Sequence, residues 1–466
     1  MEQFSRRTML KTVSSGFGYA ALAGLCSQEA EAARKYENPL AQKKPHHTPK
    51  AKRVIFLCMR GGPAQADTFD YKPIKGGTAS TVNRGRGKKN RGGRGGSIVK
   101  FQRAGKSGLQ MAASFEHLSK HADDLCLINS MWTDVPNHPQ AYLMLHTGEF
   151  RFPRPSVGSW VLYGLGTENQ NVPGFITINP PTRVGGAQNY SNGFLPAIYQ
   201  GTSIGNVGAR IENANIGNVK SPLPRDAQRK QLDLIQSMNR DRLKSREVDG
   251  NLEGLIESLE LGFRMQTAVP ELMDLSKESK KTRETYGVGK TKRSGRCQND
   301  DFGRQCLLAR RFAEAGVRYI EVCHSNWDQH NNHKADITAN SVAIDRPIAA
   351  LLSDLKQRDL LKDTLVIWGG EFGRTPLYPG RKSGSGHNSR GFSMWMAGGG
   401  VKGGTVYGKT DENGLQAVEN KVHVHALHAT MLHLLGIDHE KLTYRYSGRD
   451  FRLTDVHGNV VKGIMS

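Results

Sequence analysis

Short apolar runs recur along the chain, each closed by glycine or polar residues. Residues 54–59 (Val-Ile-Phe-Leu-Cys-Met) stop at Gly61-Gly62-Pro63, and comparable runs occupy 125–128, 175–178, 317–322, 364–368 and 392–397. Short apolar runs bounded by turn residues predict buried strands. Apolar positions at helical spacing predict helices over 304–315 and 344–358, each just ahead of a strand, and over 425–435 after the last one. Residues 249–273 read as a packed accessory helix without visible chemistry. Strands alternating with helices predict an α/β fold, a mainly parallel sheet sandwiched by helices.

In such sheets functional residues gather in the loops beyond the carboxyl ends of the strands. The loop after the first run carries Asp67-Thr68-Phe69-Asp70, and the loop after 317–322 carries Asp328-Gln329-His330. Glu371-Phe372-Gly373-Arg374 follows 364–368, and His387 stands just ahead of the 392–397 run. Ionised carboxylates and neutral imidazoles recurring at one sheet edge suit a divalent cation. Asp67, Asp328, His330, Glu371 and His387 are therefore the candidate ligands, with Zn, Mn, Mg or Ca all compatible. Each has a plainer reading: a loop hydrogen-bond pair for Asp328 and His330, a salt bridge to Arg374 for Glu371, a strand cap for His387. Their order along the chain favours the site.

Composition adds a location and a charge. Ser5-Arg6-Arg7-Thr8-Met9-Leu10-Lys11, a weakly apolar stretch to Cys26 and Ala30-Glu31-Ala32 read as a twin-arginine leader over residues 1–32, which predicts a periplasmic or extracellular protein. Residues 33–50 read as a linker and 51–466 as one α/β domain with a basic Gly/Arg-rich insertion at about 75–107. After the leader no apolar run is long enough to span a bilayer. Of the net charge of +22, residues 75–106 supply ten Lys or Arg and no acid. That segment is either a solvated loop or a flexible clamp for nucleic acid, an anionic polysaccharide or a membrane surface; the lack of interleaved aromatics favours the loop and counts against nucleic acid. Five of the six cysteines follow the leader, an odd number without paired spacing, so no disulfide framework is expected, and Cys58 and Cys126 read as buried small hydrophobes.

Several stretches together resemble a known family: Gly61-Gly62-Pro63 with Asp67-Thr68-Phe69-Asp70, His146-Thr147-Gly148, Pro155-Ser156-Val157-Gly158-Ser159-Trp160, Trp327-Asp328-Gln329-His330, residues 368–376 (Trp-Gly-Gly-Glu-Phe-Gly-Arg-Thr-Pro), and Ser447-Gly448-Arg449-Asp450-Phe451-Arg452-Leu453. They are similar to the exported bacterial family known as domain of unknown function 1501, placed by fold with the sulfatases and alkaline phosphatases. The resemblance implies a sulfatase-like α/β sandwich from a superfamily that hydrolyses or transfers phosphate and sulfate esters with one or two metal ions. By the ligand order of its cofactor-independent phosphoglycerate mutase branch, Asp328, His330 and His387 would form one metal site. Glu371 would belong to a second, whose usual His is here Phe372. The superfamily places its nucleophile at a helix N-terminus, where free N–H groups and the helix dipole favour negative charge. Ser156 fits that position, with an ordinary N-cap as the plainer reading, and Arg374 would steady the anionic ester. No Cys or Ser followed by x-Pro-x-Arg occurs, so formylglycine sulfatase chemistry is not expected.

The chain also departs from the family, with Ala64 for Ser or Asp, Ser385-Gly386 for Arg-Asp, and Ala426 for an acid after His423-Val424-His425. Two functions follow. One is an exported metal-dependent hydrolase of phosphate or related sulfate esters, its substrate an anionic ester or a sulfated or phosphorylated polysaccharide. The other is a catalytically degenerate relative that binds an anionic glycan or a protein partner.

Overall fold

All six apolar runs become strands of one nine-stranded sheet. In chain order these are β1 (Arg53–Met59), β2 (Leu125–Trp132), β3 (Phe175–Ile178), β4 (Thr202–Ile204), β5 (Tyr319–His324), β6 (Thr364–Gly369), β7 (Phe392–Ala397), β8 (Thr405–Tyr407) and β9 (Val422–His423). The computed structural model describes residues 38–74, 95–207, 210–214, 221–244, 250–289, 293–294, 297–377 and 384–466. The expected leader and most of the basic insertion lie outside the described residues. The two flanks of that insertion meet, since Lys72 N donates to Ser97 Oγ and Ser97 N to Lys72 O, each at 2.9 Å.

Across the sheet the strands run β8-β2-β7-β6-β1-β5-β3-β4, with β9 also paired to β2. Every pairing is parallel except those of β7, which is antiparallel to both β6 and β2. The mainly parallel expectation therefore holds with one reversed strand. That reversal matters for position: an antiparallel strand starts at the edge where its parallel neighbours finish, so the residues just before β7 reach the same rim as the loops after β1, β2, β5 and β6.

Helices cover both faces, as a sheet with apolar residues on either side requires. On one face α1 (His138–Thr147) lays Tyr142 and His146 over Cys58 of β1 and Glu321 of β5. Asn137 caps α1 by accepting from Gln140 N, and Gly148 closes it in the left-handed region. On the same side α2 (Val157–Leu165) packs Gly158 against Phe175 of β3. The other face is covered by α6 (Asn299–Glu314), whose Phe302 ring lies 4.9 Å from His324 of β5, with α7 (His333–Gln357) beyond it. Between α2 and α6 the chain forms α3 (Arg225–Lys244), α4 (Gly250–Met273) and the short α5 (Lys280–Thr285); α8 (Val424–Leu434) follows β9. One hydrophobic core runs through all of this, from Leu40 to Ile464.

Candidate metal centre

Five adjacent strands, β2-β7-β6-β1-β5, deliver their rim residues to one place. From the loop after β5 come Asp328 and His330; from the start of α1, after β2, comes His138; from just before β7 comes His387. The ligand-capable atoms of these four residues lie within 4.8 Å of one another. Asp328 Oδ1 is 3.0 Å from His138 Nε2, 2.9 Å from His330 Nε2 and 3.8 Å from His387 Nε2. The Nε2 atoms of His330 and His387 are themselves 3.1 Å apart. The side chains of Asp328 and His330 are about half exposed, so the cluster opens to solvent.

Two of the imidazoles are pinned from behind. His387 Nδ1 donates to Pro136 O at 2.7 Å, which leaves its Nε2 lone pair facing the cluster. His138 Nδ1 bonds Glu371 Oε1 at 2.6 Å, while its Nε2 is buried beside Asp328 without a partner at a hydrogen-bonding angle. Burial opposes charge on His138, but Asp328 and Glu371 on either side outweigh it and push its pKa up to about 9. Burial also opposes ionisation of Asp328, yet His138 and Arg374 hold its carboxyl well below the usual range. His387 is shifted down, chiefly by burial.

The donor set fits a divalent cation. Ligand atoms around a tetrahedral ion bound at about 2.0–2.1 Å stand roughly 3.3 Å apart, close to the separations among these nitrogens and Asp328 Oδ1. Two imidazoles oriented through Nδ1, with Nε2 turned toward one carboxylate oxygen, are what a metal site requires of its protein.

Glu371, Arg374 and the first-strand loop build the floor beneath. Gly61 has φ 117°, and a Cβ there would stand 2.3 Å from Asp328 N, so only glycine lets the Asp328 loop close over β1. Gly61 N donates to both oxygens of Glu371, at 3.0 and 3.1 Å. The buried Arg374 guanidinium donates to Gly61 O at 2.5 Å, Gly62 O and Ser385 O at 3.2 Å each, and also to Asp328 Oδ1. Phe372 packs against the imidazoles, its ring 4.8 Å from both His138 and His387, whose own rings are 4.3 Å apart.

The expected residues divide accordingly. Asp328, His330 and His387 come together. Glu371 stands behind His138, both oxygens engaged, instead of facing the cluster. Asp67 is outside it as well, because Oδ1 accepts from Ile98 N at 2.8 Å and Oδ2 pairs with His333 Nε2 at 2.9 Å. Arg374 is fully buried; four of its five N–H groups go to Asp328 and three carbonyls, and Nη1 also lies 3.5 Å from His330 Nε2, so the guanidinium faces the cluster's own residues. The Ser156 hydroxyl bonds Ser159 Oγ at 2.9 Å, and no hydrogen bond of Ser156 reaches the cluster. His138 escaped the sequence reading, although the rule applied to the other strands, reading the loop beyond each carboxyl end, would have found it after β2.

The family of proteins of unknown function known as DUF1501 matches residues 51–465. The chain belongs to DUF1501. No curated protein matches this DUF1501 chain. Among solved structures it is similar to Ps i-CgsB in complex with k-i-k-neocarrahexaose, at 11% identity over 84% of this chain and 72% of that one with a TM-score of 0.40. It is also similar to the PsFucS1 sulfatase from Pseudoalteromonas sp., at 14% identity over 89% and 72% with a TM-score of 0.36. A third likeness is to the alkaline phosphatase of the Antarctic bacterium TAB5, at 10% identity over 79% and 95% with a TM-score of 0.31. Likenesses at this level assign no reaction. Among the described residues no helix is long and apolar enough to cross a membrane.

Proposed function

We propose that this protein is an exported hydrolase of phosphate or related sulfate esters that uses one divalent cation (Zn, Mn, Mg or Ca) held by His138, Asp328, His330 and His387. The observation that carries the reading is the convergence of three imidazole Nε2 atoms on one carboxylate oxygen at an open edge of the sheet. When bound, such a cation polarises an ester oxygen and acidifies a water molecule. The side chains do the rest. Glu371 and the Pro136 carbonyl fix the rings of His138 and His387 so that Nε2 faces inward. Asp328 supplies the charge that offsets dehydration of the ion, and Arg374, anchored on three carbonyls, holds Asp328 in place. With the hydroxyl of Ser156 committed to Ser159, water is the attacking group in this reading.

Phe372 favours a single cation, because it packs an apolar ring against His138 and His387 where a second site would need a ligand. The same residue keeps the second function open: a metal-holding protein that binds an anionic glycan without cleaving it. To separate them, metal-stripped protein is reloaded with each cation in turn and offered phosphate and sulfate monoesters. Turnover that requires the cation and disappears in Asp328→Ala supports the hydrolase. Cation uptake without turnover on either ester class, joined to retention on a sulfated polysaccharide, supports the binding protein.

A further inference from the structure

Directly beneath the cluster lies a chain of three buried polar residues outside the ligand set. Asp67, at the end of a short turn after β1, His333, the first residue of α7, and Ser385, two residues before His387, are exposed by only 1%, 2% and 1%. His333 Nε2 is 2.9 Å from Asp67 Oδ2, and His333 Nδ1 is 3.1 Å from Ser385 Oγ. With Nε2–H donating to the carboxylate, Nδ1 is left as an acceptor and the Ser385 hydroxyl donates to it. Asp67 is in turn fixed by Ile98 N.

The residue types are those of a hydrolytic triad, but the burial is wrong for one. A nucleophilic hydroxyl must reach the substrate, and Ser385 is closed off. Its other polar atoms show what it does instead. Ser385 N donates to Gln329 O at 3.0 Å, between the ligands Asp328 and His330, and Ser385 O accepts from Arg374 Nη1 at 3.2 Å. Next to it, Gly384 N donates to His330 O at 2.8 Å, and the backbone pairs Arg374 with His387. Ser385 is thus the point where the Asp328 loop, the Arg374 arm and the His387 strand are tied together, and the buried His333 and Asp67 set the direction of its side chain.

We infer that Asp67, His333 and Ser385 form a buried hydrogen-bond relay that positions His387 and Arg374 for the cation. The inference rests on the cation reading of the cluster. All three are positioning residues: none touches the ligand atoms, and each acts through the orientation of those that do.

The test compares wild-type protein with Ser385→Ala and His333→Gln by two readouts. Hydrogen exchange of the peptide covering residues 384–388, measured without metal, reports the order of the segment. Zinc affinity, measured by competition with a chromophoric chelator, reports the ligand geometry. The relay predicts faster exchange in both variants, no additional effect in the double variant, and zinc binding weakened by about tenfold, the usual cost of removing a partner that orients a ligand. Unchanged exchange in Ser385→Ala, or unchanged zinc affinity despite faster exchange, overturns it. Should Ser385→Ala fail to fold, Asp67→Asn serves in its place, since it keeps the shape and removes the acceptor that fixes the tautomer. If wild-type protein takes up no zinc or other cation while exchange still accelerates in the variants, the proposed function fails and the relay survives as an ordering device only.

Discussion

Two histidines about two turns apart on α1 meet opposite surroundings. His138 enters the rim cluster with Asp328, His330 and His387; His146 enters a second group with metal-binding residue types, Cys58 and Glu321, in the core. In the core group the polar atoms already have partners. His146 bonds Tyr142 O at 2.7 Å and Glu321 Oε1 at 2.8 Å, Glu321 also accepts from Cys323 and Thr177, and Cys58 Sγ meets Tyr142 Oη at 3.1 Å. Burial opposes the charge on both His146 and Glu321, and each outweighs it for the other, so the His146 pKa is raised and that of Glu321 lowered. At the rim the three Nε2 atoms instead face one another and share one carboxylate oxygen, Asp328 Oδ1. Both groups carry metal-binding residue types; hydrogen-bond accounting separates a cluster whose nitrogens share one carboxylate oxygen from an ion pair that fastens α1 to the sheet.

The comparison breaks if the two groups respond alike to mutation. Asp328→Ala is expected to lower cation affinity by more than about a hundredfold, by isothermal titration, since one lost carboxylate ligand removes both a bond and the charge that offsets dehydration. Metal-free stability should fall as well, because the buried Arg374 guanidinium loses its carboxylate, so cation affinity is the distinguishing readout. Glu321→Ala differs at the metal: it leaves the buried His146 without its carboxylate, costs up to about 3–5 kcal/mol in denaturant unfolding, and leaves cation stoichiometry in the folded protein unchanged. Glu371→Gln sharpens the boundary, because Glu371 orients His138 without facing the cluster; cation affinity should fall by about 10–100-fold and not vanish.

A pH series tests the core pair by itself. The raised His146 pKa contributes stability that is complete below its unfolded value, about 6.5, and is lost as pH rises through the folded value. The lowered Glu321 pKa contributes stability that is complete above its unfolded value, about 4.3, and is lost as pH falls through the folded one. The stability gap between wild type and Glu321→Gln should therefore peak between about pH 4.3 and 6.5 and narrow on both sides; a gap that does not vary with pH would remove the ion pair from the account. The smallest effect belongs to Ser156→Ala. Its side chain caps no helix amide, so the change should cost less than the roughly 1 kcal/mol of a working N-cap and leave ester turnover intact.

Much of the rim was legible in the sequence because parallel strands place their trailing loops together, and Asp328 and His330 follow that rule. His387 was legible without knowledge that β7 runs backwards, since a reversed strand enters where the others leave. His138 was hidden by a break in the apolar pattern. The run at 125–128 ends at Asn129 and Ser130, yet β2 continues to Trp132 because both polar side chains find partners, Asn129 with Ser393 Oγ and Ser130 with Asn420 O. The loop that matters thus starts four residues later than the pattern suggests. Asp67 and Glu371 show the opposite limit: the sequence placed both near the rim, but which way a carboxylate turns depends on donors far along the chain, His333 for one and Gly61 and His138 for the other.

The central claim is that the rim group, and not the core group, holds a cation. The most direct measurement is metal content by elemental mass spectrometry on protein loaded to saturation and desalted, for wild type and for the Asp328→Ala, His387→Ala double variant. The account predicts about one equivalent in the wild type and none in the double variant. No metal in the wild type, or an equivalent that persists in the double variant and disappears only with Cys58→Ala, would contradict it.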